Sequence, residues 1–109
     1  MSDNSNDDSQ RVVFRKWRNS SDIIALFPEI PTDIIGSFCL SYERVGQHAA
    51  ADYYGVINHT SSAKPHEFAG LADELVRVGY HVKPLKRTSQ RHHERRRMVA
   101  KSCSSTHTS

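Results

Sequence analysis

Hydrophobic and polar positions follow a period of about two through most of the first half of the chain, then change to a helical period after Pro65. In RVVFRKWR (11–18), Val13, Arg15 and Trp17 fall on one side and Val12, Phe14 and Lys16 on the other, which predicts a strand. Asn19-Ser20-Ser21-Asp22 reads as a turn. IIALF (23–27) then reads as a buried strand that pairs with the first as a hairpin. Pro28 and Pro31 each fix φ and remove a donor, so they predict a rigid extended loop. SFCLSYERV (37–45) alternates again, with Phe38, Leu40 and Tyr42 opposite Cys39, Ser41 and Glu43, and predicts a third strand. Gly46-Gln47-His48 turns the chain into a fourth, AADYYGVI (50–57), in which Gly55 suggests a bulge. Residues 58–62 read as loop.

From Pro65 the apolar residues Phe68, Leu71, Leu75 and Val78 recur at helical spacing with Ala72 beside them. Pro65 suits a first helical position, Glu67 the first turn, and Gly79 the end, so a helix is expected over 65–78. Residues 80–86 read as a fifth strand, placed at an edge by Pro84. SQRHHERRRMVAK (89–101) has good helix formers and a Ser89 cap but few apolar residues. It therefore predicts a solvated helix, or one that folds on a partner. The order β-β-β-β-α-β-α implies an α+β domain: an antiparallel sheet of about five strands, packed by one amphipathic helix, with a basic C-terminal helix.

Composition sharpens the boundaries. The hydrophobic share of 37% is low because the ends are polar. Residues 1–10 read as a disordered acidic tail, 11–87 as the domain, 88–101 as the basic helix and 102–109 as a second disordered tail. Net charge is +3, yet residues 83–101 alone carry +7 and the remainder −4. Such asymmetry points to a polyanion or an acidic protein surface as partner. The expected contacts are Lys86, Arg87, Arg91, Arg95, Arg96, Arg97 and Lys101. Cys39 and Cys103 do not make a disulfide framework, and reduced thiols in a cytoplasmic protein are the simpler reading. No signal peptide and no stretch of 18 apolar residues is present, so a membrane is not an expected partner.

Catalytic chemistry is thinly represented. His48, Asp52 and Tyr53 or Tyr54 could supply an acid–base group, with Cys39 as nucleophile. The simpler alternative is a loop histidine, a turn aspartate and two strand tyrosines, in which case Gln47, His48, Asp52, Tyr53 and Tyr54 form a recognition surface. The seven histidines make no HExxH, HxH or CxxC pattern, and five scattered glycines make no phosphate loop. No metal, cofactor or catalytic residue is therefore expected, and a binding protein is favoured over an enzyme.

The blocks VVFRKWR, DIIALFPEIP and CLSYERVGQHAAADYYGVI, followed by an E-F-x-x-L-x-x-E-L-x-x-x-G-Y helix and a basic tail, cover roughly residues 12–97. In this order they resemble a family of small proteins carried by bacterial phages, plasmids and integrative elements. The chain is also similar to a group of anti-CRISPR inhibitors directed at Cas9. One departure is Lys64-Pro65-His66-Glu67, where the family has a Thr-Pro-Glu-Glu type helix start. The resemblance implies a non-enzymatic protein of the bacterial host cytoplasm that inhibits a CRISPR-Cas effector by binding and occlusion. The alternative is a nucleic-acid-binding accessory protein of a mobile element. The family supplies no catalytic residues, and the sequence does not set the oligomeric state.

Overall fold

The computed structural model describes residues 9–43 and 47–107, without the side chains of Gln47 and residues 103–107. The expectations for residues 1–8, for 44–46 (the end of the expected third strand and Gly46) and for 108–109 lie outside the described residues. The chain runs β1 (Gln10–Trp17), β2 (Ile23–Pro31), β3 (Cys39–Glu43), β4 (Gln47–Ala51), α1 (Tyr53–His59), β5 (Thr60–Ser62), α2 (Pro65–Val78), β6 (Val82–Leu85) and α3 (Gln90–His107). The fold is α+β, with strand order β4-β3-β2-β1-β5 and antiparallel pairing along that path. β6 lies parallel to the first half of β1, Gln10 facing Val82 and Val13 facing Leu85.

Alternation in β1 and β2 sorts the core onto the two faces of the sheet. Val12, Phe14, Ile23, Ala25, Phe27 and Tyr42 meet Leu71 and Leu75 of α2 on one face. Phe14 stacks on Phe68 with ring centroids 4.2 Å apart. Val13, Ile24, Leu26, Cys39 and Ala51 meet Tyr53 of α1 on the other. α2 has the expected bounds. The Glu67 carboxylate accepts from the Lys64 backbone N–H at 2.8 Å and from Lys16 Nζ at 2.7 Å. Gly79, at φ +120°, ends the helix as its N–H and that of Tyr80 bond back to the Leu75 carbonyl.

Several expectations need correction. The fourth strand is 47–51, not 50–57, and the chain has already entered it at Gln47. Residues 53–59 are helical because Tyr53, Val56 and Ile57, which pack together beneath the sheet, are spaced i, i+3, i+4. The assumed loop at 58–62 contains β5, held to β1 by Arg15, which donates to the Thr60 hydroxyl and carbonyl at 2.9 and 2.8 Å. The prolines belong to β2 rather than to a loop, and the β2–β3 ladder shifts register between Phe27 and Pro31 where donors are missing. Phe38 does not share a face with Leu40 and Tyr42. It stands exposed in a loop turned by Asp33, whose carboxylate accepts from the Ser37 and Phe38 N–H groups. α3 continues to His107, past the expected end at 101.

Candidate functional site

α3 carries Arg91, Arg95, Arg96, Arg97 and Lys101 against Glu94, and its docking decides which of these charges reach solvent. Three of its residues are almost wholly enclosed: His93 and Ala100 are 2% exposed and Arg96 is 3% exposed. They are spaced i, i+3, i+7 and form one narrow stripe. Arg96 donates from Nε to the Gly36 carbonyl and from Nη1 to the Pro28 carbonyl, both at 2.8 Å. Its Nη1 also lies 2.8 Å from His93 Nδ1. A guanidinium only donates, so His93 Nδ1 must be the acceptor and Nε2 must carry the proton. Nε2 lies 2.9 Å from the Thr88 hydroxyl, which completes the chain. Burial and then the positive charges of Arg96, Arg97 and His92 lower the His93 pKa to about 4. Tyr53 closes the pocket edge-on, its ring 4.7 Å from that of His93.

This corrects one of the expected phosphate contacts. Arg96 faces the sheet, not the solvent, and its donors bind backbone carbonyls. Lys86, Arg87, Arg91, Arg97 and Lys101 are exposed. Arg95 is exposed as well, and shares Glu29 with Arg11 and His92 at 3.8, 3.4 and 3.9 Å. At about 100° per residue, Arg91 and Met98 lie opposite the buried stripe, Arg95 to one side of them, and Glu94, Lys101 and Arg97 successively further round on the other. α3 starts at Gln90, and among the described residues no bond from a helix N–H to the Ser89 hydroxyl stands for the expected cap; instead the Ser89 N–H donates to His92 Nδ1 at 2.9 Å.

The residues around GQHAAADYY do not converge. His48 stands opposite Tyr42 on the α2 face of the sheet, with Nε2 2.9 Å from the Tyr80 hydroxyl. The Tyr42 hydroxyl in turn donates to Glu74. Tyr53 and Tyr54 lie on the opposite face against His93, and Asp52 sits beside Gly55 at the start of α1. Gln47 opens β4 opposite Glu43. Cys39, opposite Ala51, points to the face away from His48, so the sheet separates the two groups considered as a Cys–His pair. Burial further pushes the Cys39 thiol up to about 11. Among the described residues, no three His, Cys, Asp or Glu side chains cluster to hold a metal, and no helix is long and apolar enough to cross a membrane.

The i, i+3, i+7 stripe His93-Arg96-Ala100 was readable in the sequence only as spacing. Nothing in the residue types marks one of the four arginines of α3 as internal.

The chain matches no family model, no curated protein and no solved structure.

Proposed function

We propose that the protein is a non-catalytic binder that occludes a host nucleoprotein, with a CRISPR-Cas effector of the Cas9 type as the first target. The resemblance to small proteins of phages and mobile elements supplies the target class. The observation that carries the mode of binding is the docking of α3. With Arg96 bound to the Pro28 carbonyl of β2 and the Gly36 carbonyl of the following loop, and His93 buried beside it, Arg91, Arg95, Arg97 and Lys101 extend outward from a helix that is already folded. Such a helix meets an anionic surface without the cost of ordering a segment on contact. Cations on two flanks suit backbone phosphates or an acidic groove better than reading of base edges.

The test is target cleavage by a purified Cas9–guide RNA complex, titrated with the protein. Occlusion predicts complete loss of cleavage near a one-to-one ratio, with no recovery on longer incubation. Unchanged cleavage at tenfold excess, about 1.4 kcal/mol beyond equivalence in chemical potential, would exclude this target. The second reading, direct binding of nucleic acid by the same helix face, rests on the same outward cations. It predicts binding of mixed-sequence DNA or RNA at about 150 mM salt. The log–log salt slope should then fall by slightly under one for each of Arg91, Arg95, Arg97 and Lys101 neutralised.

A further inference from the structure

Tyr54 is a large aromatic side chain left 59% exposed beside the docked α3, and it belongs to neither hydrophobic core. Its ring centroid lies 5.4 Å from that of Tyr53 and 5.1 Å from that of His93, and those two lie 4.7 Å apart. These distances make a nearly equilateral triangle, so Tyr53 and His93 both stand on the same side of Tyr54. The other side is the one open to solvent. The two supporting rings are fixed. Both are buried, and His93 is tied to Arg96 Nη1 at 2.8 Å and to the Thr88 hydroxyl at 2.9 Å. An exposed ring braced in this way has little freedom left to lose when a second flat ring settles on it.

Charge selects the kind of ring. Two exposed cations stand close to His93 along the chain. Arg97 follows it by one turn, about 40° round the helix, and its charge is near enough to help hold the His93 pKa down. Arg87 precedes Thr88, whose hydroxyl bonds the same imidazole. Neither arginine forms an ion pair among the described residues, whereas the donors of Arg96 are bound to the Pro28 and Gly36 carbonyls. An open aromatic face with cations nearby is the combination that holds single strands, in which each base offers a π face and the backbone a phosphate on either side of it. In a duplex the faces of the bases are covered by their neighbours, and Tyr54 would have nothing to stack on. An acidic protein surface would answer the cations but not the open ring.

We infer that Tyr54 is a stacking platform for an unpaired base, and that Arg87 and Arg97 hold the adjoining phosphates of a single-stranded nucleic acid. The inference rests on the second reading above, in which α3 meets nucleic acid directly, and narrows it from any nucleic acid to a single strand.

The full chain is titrated by fluorescence anisotropy at about 150 mM salt. The probes are labelled strands of about 12 nucleotides, within the range of single-strand sites: oligo-dT, oligo-U, an abasic strand with the same number of phosphates, and a mixed-sequence duplex. Oligo-dT or oligo-U should bind about tenfold more tightly than the abasic strand, the margin of one stacked base. The larger margin of the two names the sugar. Tyr54→Ala should remove the margin and leave duplex affinity as it was, and Tyr54→Phe should retain the margin. Arg87→Gln and Arg97→Gln should each lower the log–log salt slope on the preferred strand by about 0.7. The abasic comparison uses the wild-type chain, so it is independent of how any variant folds. Equal affinity of the wild type for both base-bearing strands and the abasic strand would overturn the inference and leave direct nucleic-acid binding standing. A margin that survives Tyr54→Ala, or a salt slope unchanged in both arginine variants, would overturn it in the same way. No binding to any of the four probes would overturn both.

Discussion

Arg96 offers the sharpest test of how α3 is used, because its two readings predict opposite results. As a phosphate contact, its loss would weaken nucleic-acid binding and leave stability alone. The structure instead gives it three contacts of 2.8 Å, to the Gly36 and Pro28 carbonyls and to His93 Nδ1. Arg96→Met keeps most of the stem volume and removes every donor. Each acceptor left buried and unpaired costs about 1–3 kcal/mol. Water can reach some of them, because the loop at 32–38 has exposed residues on both sides of Gly36, and the guanidinium's own desolvation cost is recovered. The net expectation is a loss of about 2–4 kcal/mol, out of a total of about 5–15 for a domain. In urea unfolding followed by circular dichroism, that moves the midpoint down by about 2 M at an m-value near 1.5 kcal/mol/M. Arg91→Gln, on the exposed side of the same helix, should stay within about 0.5 kcal/mol of the wild type. A midpoint for Arg96→Met indistinguishable from that of Arg91→Gln would refute the argument.

Two further outcomes follow from the same docking. His93 is held neutral in the fold, with its pKa lowered to about 4 from 6.5, so between those values the unfolded chain binds a proton that the folded chain does not. Stability is therefore complete above about pH 6.5 and declines as the pH falls toward 4. The decline is about 1–3 kcal/mol after screening. His93→Gln, which retains a donor and an acceptor but does not titrate, should lack this part of the decline in urea midpoints taken from pH 7.5 to 4. Gly36 has φ +76°, and an added Cβ would stand 2.8 Å from the Arg97 Cα, a backbone atom that cannot move aside cheaply. Gly36→Ala should cost about 1–3 kcal/mol and increase amide exchange in residues 93–100. Unchanged exchange there would show that the loop does not hold the helix.

The parts of the fold that were legible in the sequence are those where one period runs unbroken. α2 could be read to the residue because Phe68, Leu71 and Leu75 repeat at helical spacing between Pro65 and Gly79. β1 could be read because alternate residues enter two separate cores. The stretch after Ala51 was misread because YYGVI satisfies both periods over so few residues. Only the packing of Tyr53, Val56 and Ile57 together against one face decides for the helix. β5 could not be found at all, since three polar residues, TSS, are paired through Arg15 from 45 residues away. The basic segment was legible as a helix and as a charge, but not as a helix with an inside.

The inside of α3 has a cause that starts in β2. Proline lacks the N–H that a strand ladder uses, and β2 carries two of them at 28 and 31. The pairing with β3 consequently jumps from Phe27–Leu40 to Pro31–Cys39. The Pro28 carbonyl, buried in this interval, takes a donor from Arg96 instead. The Gly36 carbonyl, at the turn of the following loop, takes the other. A helix with almost no apolar stripe can therefore dock, because what it offers the sheet is a set of donors rather than a hydrophobic face. The same arrangement separates the arginines by role. The one aligned with His93 and Ala100 serves the fold, and Arg91, Arg95 and Arg97 stand at exposed positions.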